Sequence, residues 1–240
     1  MHIPDGYLSP QTALPFVALM IPVWGVAVKK VQTDLKKRQI PVLAIGAAFC
    51  FTIMMFNLPI PGGSSAHAVG AVLLAILLGP WPACIGVSIA LIIQALIFGD
   101  GGVMAIGANC FNMGVVMPWV GYGIYRLIKG RADILSTRAI IAAFIAGYVG
   151  LNAAAFVTAL EFGSQYHWFQ AADGTPLYFP YPIKIAVIAM MSEHLIFAGW
   201  VEGLATALGA WFVARNYPAL MTGGFRIGSG RSGLGVNNNV

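Results

Sequence analysis

The stretch AHAVGAVLLAILLGPWPACIGVSIALIIQALIFG, residues 66–99, decides the fold. It runs for 34 residues without an Asp, Glu, Lys or Arg. A helix needs about 20 apolar residues to cross a bilayer, and Gly79-Pro80-Trp81-Pro82 divides the stretch in two. The segments 66–79 and 82–98 therefore read as a tight hairpin of two short spans. Working outward, further apolar runs occupy 12–28, 40–58, 103–126, 138–160 and 183–213. The last is long enough to tilt or to protrude from the membrane. Composition agrees, with 59% hydrophobic and 9% charged residues in 240 and a mean hydropathy of +0.81, where a soluble domain carries about 25% charged residues. The expectation is an all-α integral membrane protein: one bundle of seven transmembrane helices over residues 1–222, then a flexible Gly-, Ser- and Asn-rich tail over 223–240.

Charge sets the orientation. Lys29, Lys30, Lys36, Lys37 and Arg38 follow the first run, Arg126, Lys129, Arg131 and Arg138 the fifth, and Arg215, Arg226 and Arg231 the seventh. With seven spans, all of these fall on one face and only Lys184 on the other. The positive-inside rule then puts the N-terminus outside and the C-terminus in the cytoplasm of a multi-pass cell-membrane protein. The net charge of +5 is accounted for by these loops, so nucleic acid is not expected as a partner. The lipid bilayer is. Cys50, Cys84 and Cys110 lie inside apolar runs without CxxC spacing and read as core residues. No basic stretch precedes the first apolar run, so a cleaved signal peptide is not expected.

The outer face then holds residues 1–11, 59–65, 99–102 and 161–182. Two of the four histidines fall there, His2 and His67. A histidine at position 2 puts the Met1 α-amine, its own amide nitrogen and its imidazole Nδ1 in chelating order, closing a five- and a six-membered ring around one ion. Because the amide must lose its proton, this set favours Ni(II) or Cu(II) in planar nitrogen coordination. The large side chain of His2 implies that the initiator Met is retained. Pro4, Asp5-Gly6 and Ser9-Pro10 are turn formers that fold the segment back. His67 follows the turn Pro59–Ala66, with Ser64 or Ser65 as the expected cap of a helix opening there. In a first helical turn its imidazole would be held neutral, as a metal requires, and it would supply the fourth nitrogen.

Several other polar residues bear on function. Asn109 and Asn112 lie in the fifth run near its outer end, either as hydrogen-bond partners that steady the ligating imidazoles, with Ser65, or as helix–helix contacts. Glu193, His194 and Glu202 lie in the seventh run, where ionisable groups are costly; a metal relay and a packed or paired carboxyl are both open. The aromatics of 161–182 read as an interfacial belt or as a lid. His167, among them, reads as interfacial. Small residues recur at four-residue spacing (Ala139, Ala143, Gly147; Ala142, Ala146, Gly150; Gly199, Gly203, Ala207) and serve either the bundle or a partner. Ser64 or Ser65 with His194 would be the parts of an intramembrane hydrolase, but GxSxG and HExxH are absent from the sequence. GxxxxGK[ST] is absent too, so no phosphate loop for ATP is expected. A stand-alone metal channel or carrier is a further alternative.

Met-His-Ile-Pro-Asp-Gly-Tyr-Leu-Ser-Pro at 1–10 and Pro-Gly-Gly-Ser-Ser-Ala-His at 61–67 resemble the CbiM/NikM family, the substrate-capture (S) components of energy-coupling factor transporters for nickel and cobalt. The resemblance covers the membrane portion. It implies a transporter subunit that is not an enzyme, with Met1, His2 and His67 holding the ion on the outer face. It further implies a transmembrane coupling protein, a cytoplasmic ATPase pair and a small additional membrane subunit as partners. Pro4-Asp5-Gly6 looks more like nickel-type members, which makes Ni(II) the expected cargo and Co(II), for cobalamin biosynthesis, the alternative.

Overall fold

The computed structural model describes residues 1–60 and 64–221; the tail expected over 223–240 lies outside them. The described chain is helical but for one hairpin of three-residue strands. Its elements are α1 (Pro10–Asp34), α2 (Ile40–Met54), β1 (Leu58–Ile60), β2 (Ser64–Ala66), α3 (Ala71–Leu78), α4 (Pro80–Ile93), α5 (Ile106–Phe111), α6 (Met117–Lys129), α7 (Thr137–Trp168), α8 (Ile183–Glu193), α9 (Gly199–Asn216) and α10 (Pro218–Met221). Single π-turns extend α4 through Phe98 and join α5 to α6 and α8 to α9. Five of the resulting rods are long and apolar enough to cross a membrane: 10–34, 37–54, 80–98, 137–168 and 183–216.

The helices start where local chemistry allows. Ser9 caps α1, its hydroxyl accepting the Thr12 amide hydrogen at 3.1 Å, and Pro10 takes the first helical position, where no amide donor is needed. Ser136 caps α7 in the same way through Ala139. Exposed apolar side chains on α1, α2, α4 and α9, among them Ile21, Ile45, Ile97 and Leu208, face outward as a lipid-contacting surface should.

The expected span 66–79 is corrected. Only Ala71–Leu78 is helical, about 12 Å of rise against the roughly 30 Å of a bilayer core, and all eight residues are buried. This half-helix sits in the middle of the molecule, packed against α2, α4, α6 and α9. It cannot start earlier because Gly70 is left-handed at φ 76°, and a Cβ there would lie 2.9 Å from Phe49 Cε1. Ser64 and Ser65 consequently cap no helix; they pair in β2 with Ile60 and Pro59. The turn between α3 and α4 is Gly79 alone, with Pro80 already helical. The sixth run extends to Trp168, so Glu161, Phe162, Tyr166 and His167, expected in a loop, ride on the last two turns of α7.

The small-residue stripes are consumed inside the bundle. A Cβ on Gly147 would meet Thr206 Oγ1 at 2.7 Å, one on Gly150 the Met117 carbonyl at 2.9 Å, and one on Gly203 the Phe144 ring and carbonyl at 2.9 Å. They let α7 approach α6 and α9 at backbone distance.

Candidate metal centre

The N-terminal segment does not trail into solvent. Ile3 is fully buried and Leu8 nearly so, in an apolar cluster with Ala105, Ala108, Phe162 and Ala186. Its backbone is fastened as though it were part of a sheet. Asn109 Nδ2 donates to the Ile3 carbonyl at 3.1 Å while Asn109 Oδ1 accepts the Ile3 amide hydrogen at 2.8 Å. The Gly102 amide donates to the same carbonyl at 2.8 Å. Asp5 accepts from the amides of Val103 and Met104 at 3.0 and 2.9 Å. Position 102 must be glycine for this docking, since a Cβ would stand 2.5 Å from the Asp5 amide nitrogen. Farther along, Gln165 Oε1 on α7 accepts the Ser9 amide hydrogen at 2.9 Å.

This anchoring delivers the chain start into a cavity of about 340 Å³ lined by Met1, His2, Pro4, Tyr7, Asn57, His67, Asp100, Phe162, Met190 and Glu193. The rings of His2 and His67 lie 4.7 Å apart, centroid to centroid, at 35°. Both are buried, with 7% of the His2 side chain exposed and 4% of His67. His2 Nδ1 donates to Asp100 Oδ1 at 2.8 Å, leaving its Nε2 buried and unpartnered among the described residues. His67 directs Nδ1 to its neighbour's carbonyl, Ala68 O, at 3.1 Å, and its Nε2 is likewise bare.

Electrostatics follow from burial. The Met1 α-amine is pushed below its ordinary value near 8.0 by desolvation, against the opposing pull of Glu193 and Asp100. Desolvation also lowers His2, although the hydrogen bond to Asp100 resists it. His67 falls well below 6.5, through burial first and then through the nearby amine and His2. Asp100 is lowered by its bond to His2. Burial thus shifts the amine and both imidazoles toward the uncharged lone-pair form, the form a metal ion binds. Burial does for His67 what a helix N-terminus was expected to do.

The remaining sequence expectations fall out as follows. Asn109 sits beside the site, but it steadies the Ile3 backbone and not an imidazole. Asn112 is elsewhere, donating to Thr158 Oγ1 at 3.0 Å and to Glu161 Oε2 at 2.7 Å, a tie between the 106–129 rod and α7. Ser65 pairs with Pro59 in the hairpin. His167 stacks edge-on against Tyr166 at the exposed end of α7. The aromatics of 161–182 divide: Phe162 and Phe179 stack at 4.6 Å and receive the Tyr7 ring, covering the N-terminal segment, whereas Trp168 and Tyr181 are exposed.

Two contributors were not singled out as parts of the site in the sequence. Asp100 lies in the turn 99–102 and holds the His2 ring. Glu202, on α9, is fully buried and accepts from the amides of Val69 at 2.7 Å and Gly70 at 3.0 Å, while Thr206 donates to it at 3.3 Å. It fixes the backbone just after His67 and fills the donor positions at the start of α3. Among the described residues no three His, Cys, Asp or Glu side chains converge as a metal-binding group.

Comparison with known proteins gives a consistent answer. Residues 2–220 match the family model CbiM, described as a cobalt uptake substrate-specific transmembrane region. The chain is 52% identical over 222 residues to a fused nickel transport protein, NikMN, of Rhodobacter capsulatus, covering 92% of this chain and 64% of that one. It is 50% identical over 221 residues to a probable fused nickel transport protein, LarMN, of Lactiplantibacillus plantarum, covering 91% and 66%. It thus spans about two thirds of the length of these fused relatives. A crystal structure described as a truncated transition metal transporter matches with a TM-score of 0.84 at 54% identity, covering 90% of this chain and 99% of that one.

Proposed function

We propose, from the premise that this chain belongs to the CbiM family of metal transport proteins, that it is the subunit that captures Ni(II) at the outer face of the cell membrane. Membership makes it a multi-pass, non-catalytic transport component, and the hydrolase reading of Ser64, Ser65 and His194 falls with it. The reading goes further in naming the ligands: the Met1 amine, the His2 amide nitrogen and imidazole Nδ1, and His67 Nε2. Residues 1–222 form the membrane unit, seven segments with the N-terminus outside, α3 counting as a buried half-span. A transmembrane coupling protein and an ATPase pair, with a small additional membrane subunit, would supply the energy for inward release.

One observation carries the reading: the 4.7 Å spacing of the His2 and His67 rings beside a buried chain start. With metal–nitrogen bonds of about 2.0 Å, imidazoles on adjacent corners of a square have centroids about 4.4 Å apart. Among the described residues no three side chains converge as a metal-binding group, and the main chain supplies the remaining nitrogens. Planar four-nitrogen coordination prefers Ni(II), and the fused relatives carry nickel in their names. The family model's description favours the second reading, Co(II), which needs axial donors in addition. His2 Nδ1 is held by Asp100, so chelation through Nδ1 would exchange that bond for the ion by turning the ring about Cβ–Cγ.

The test is an extension of at least three residues before Met1, because a single added residue would only place the histidine third, in an amine–amide–amide–imidazole set that itself suits planar Ni(II). It moves the amine out of the chelate and leaves every side chain in place. Isothermal titration with Ni(II) should show loss of high-affinity binding in a chain that melts at the same temperature. Unchanged affinity would refute the proposal. Titrating the unmodified chain with Co(II) in parallel, with the visible spectrum of each bound ion, ranks the two metals.

A further inference from the structure

The capture site leaves one imidazole unexplained. Three Nε2 atoms are buried without a hydrogen-bond partner among the described residues: those of His2, His67 and His194. His194 is 1% exposed and opens the π-turn His194–Ala198. Its Nδ1 lies 2.8 Å from the Met190 carbonyl oxygen. A carbonyl oxygen only accepts, so Nδ1 carries the ring proton and Nε2 presents a lone pair. His67 is set up in the same way by Ala68 O. An imidazole whose Nδ1–H is fixed by a main-chain oxygen, with the other nitrogen bare, is how metal-binding histidines are commonly oriented. π-turns in helices are also frequent at functional positions.

The placement fits. Met190 and Glu193, four residues and one residue before it, line the cavity that holds Met1 and His2. The π-turn packs against β2, which ends one residue before His67. His194 is close enough to His67 for its charge to oppose protonation there. Along the 183–216 rod it lies just beyond the last cavity-lining residue, on the side leading away from the outer end.

We propose that His194 Nε2 and His67 Nε2 form a second, deeper metal station that takes the Ni(II) cargo as it leaves the Met1–His2 chelate. This rests on the capture reading. His67 is common to both stations, so the ion crosses no gap: it exchanges the chain-start nitrogens for one new imidazole while a bond to His67 persists. Two neutral imidazoles without a deprotonated amide make a weaker site, as a station that must pass its ion onward requires.

The test isolates the distal nitrogen. His194→Asn keeps an N–H where Nδ1 donates to Met190 and removes the distal Cε1 and Nε2 of the ring. In the otherwise unmodified chain it should leave high-affinity Ni(II) binding within about threefold. His2→Ala disables the outer chelate and should leave one equivalent of Ni(II) bound at least about 100-fold more weakly; adding His194→Asn should cut that residual affinity by a further tenfold or more. X-ray absorption of the Ni(II)-loaded His2→Ala chain, which needs no change at His194, should count two imidazoles. Lost affinity in His2→Ala with no further change on adding His194→Asn, or a single imidazole, overturns the second station alone. Wild-type affinity in His2→Ala would instead overturn the capture site, and the hand-over with it.

Discussion

Two buried polar clusters lie within a few residues of each other along the chain and are built on opposite rules. At the inner one, both Glu202 oxygens are occupied, by the amides of Val69 and Gly70 and the hydroxyl of Thr206. At the outer one, the amine of Met1 and the imidazoles of His2 and His67 are equally buried, yet an Nε2 on each ring has no partner. Leaving a buried polar atom unpaired costs about 1–3 kcal/mol, a cost that the proposed ion would relieve. On the proposed reading the satisfied cluster is scaffold and the unsatisfied one holds the ion. If that distinction holds, changes at the two clusters should separate into losses of binding and losses of stability.

The largest separation is expected at His67. His67→Ala removes one of four nitrogens and should lower Ni(II) affinity beyond the roughly 100-fold upper end of outer-sphere changes. The melting temperature of the metal-free chain should hold or rise, because a bare lone pair is removed. Titration and a thermal scan on one sample check both. A fall in stability equal to the fall in binding would erase the contrast.

Asn109→Ala comes next. It deletes both side-chain bonds to Ile3 and leaves Gly102, Val103 and Met104, with Asp100 and Gln165 at either end, to hold the segment, so affinity should fall about 10–100-fold. Hydrogen exchange at the Ile3 amide should rise in the metal-free chain, which would separate lost positioning from a lost ligand. Glu202→Gln tests the other cluster. The amide oxygen can take the Oε2 place, which receives the Val69 and Gly70 amides, and Thr206 can turn its hydroxyl to accept from the NH₂ group. That group also faces the Gly70 amide across the Oε1 place, so the expected loss is about 1–3 kcal/mol of stability with less than a tenfold change in Ni(II) affinity. The reverse pattern would make Glu202 part of the site.

Acid should act on the outer cluster only. The Met1 amine, His2 and His67 are bases lowered by burial, and Asp100 is an acid lowered by its bond to His2. The signs agree: the unfolded chain binds more protons than the folded one as pH falls, so the docked segment loses stability in acid and gains none above about pH 8. Ni(II) affinity should fall about tenfold per pH unit, because the ion displaces the His2 amide proton, and the fall should steepen where the amine and imidazoles, lowered by burial, take up protons as well. Titrations between pH 8.5 and about 5 would show it. An affinity independent of pH would rule out the amide as a ligand.

Much of this was legible in the sequence for reasons that are local. Apolar runs reveal the helices, and His2 and His67, read as a pair from the sequence, are brought side by side. What was hidden depends on partners far away in the chain. Residues 66–79 are uniformly apolar, so nothing in their pattern separates the extended half from the helical half. That boundary is set by Gly70 in a left-handed conformation and by Glu202, 132 residues downstream. Asn109 finds the Ile3 backbone across 106 residues, and sequence could suggest only that it was near something. The last turns of α7 look like a loop because Glu161 and Gln165 are polar. They are buried because Asn112 and Ser9 meet them.

Asp100 offers the finest division, because it decides which His2 nitrogen meets the ion. If the ring chelates through Nδ1, the Asp100 bond belongs to the metal-free state and must break on binding. Asp100→Asn then removes a competitor along with a nearby negative charge, two effects of opposite sign. The equilibrium affinity should change by less than about tenfold, the upper end being the lower bound of a true outer-sphere loss, and Ni(II) should bind faster. If instead Nε2 took the ion while Asp100 held Nδ1–H, the carboxylate would act as a lasting support, and Asp100→Asn would weaken binding about 10–100-fold with no gain in rate. Stopped-flow association beside equilibrium titration distinguishes the two. Only the first outcome keeps the amine, the amide and the ring on one ion, since the six-membered chelate closes through Nδ1 and not through Nε2.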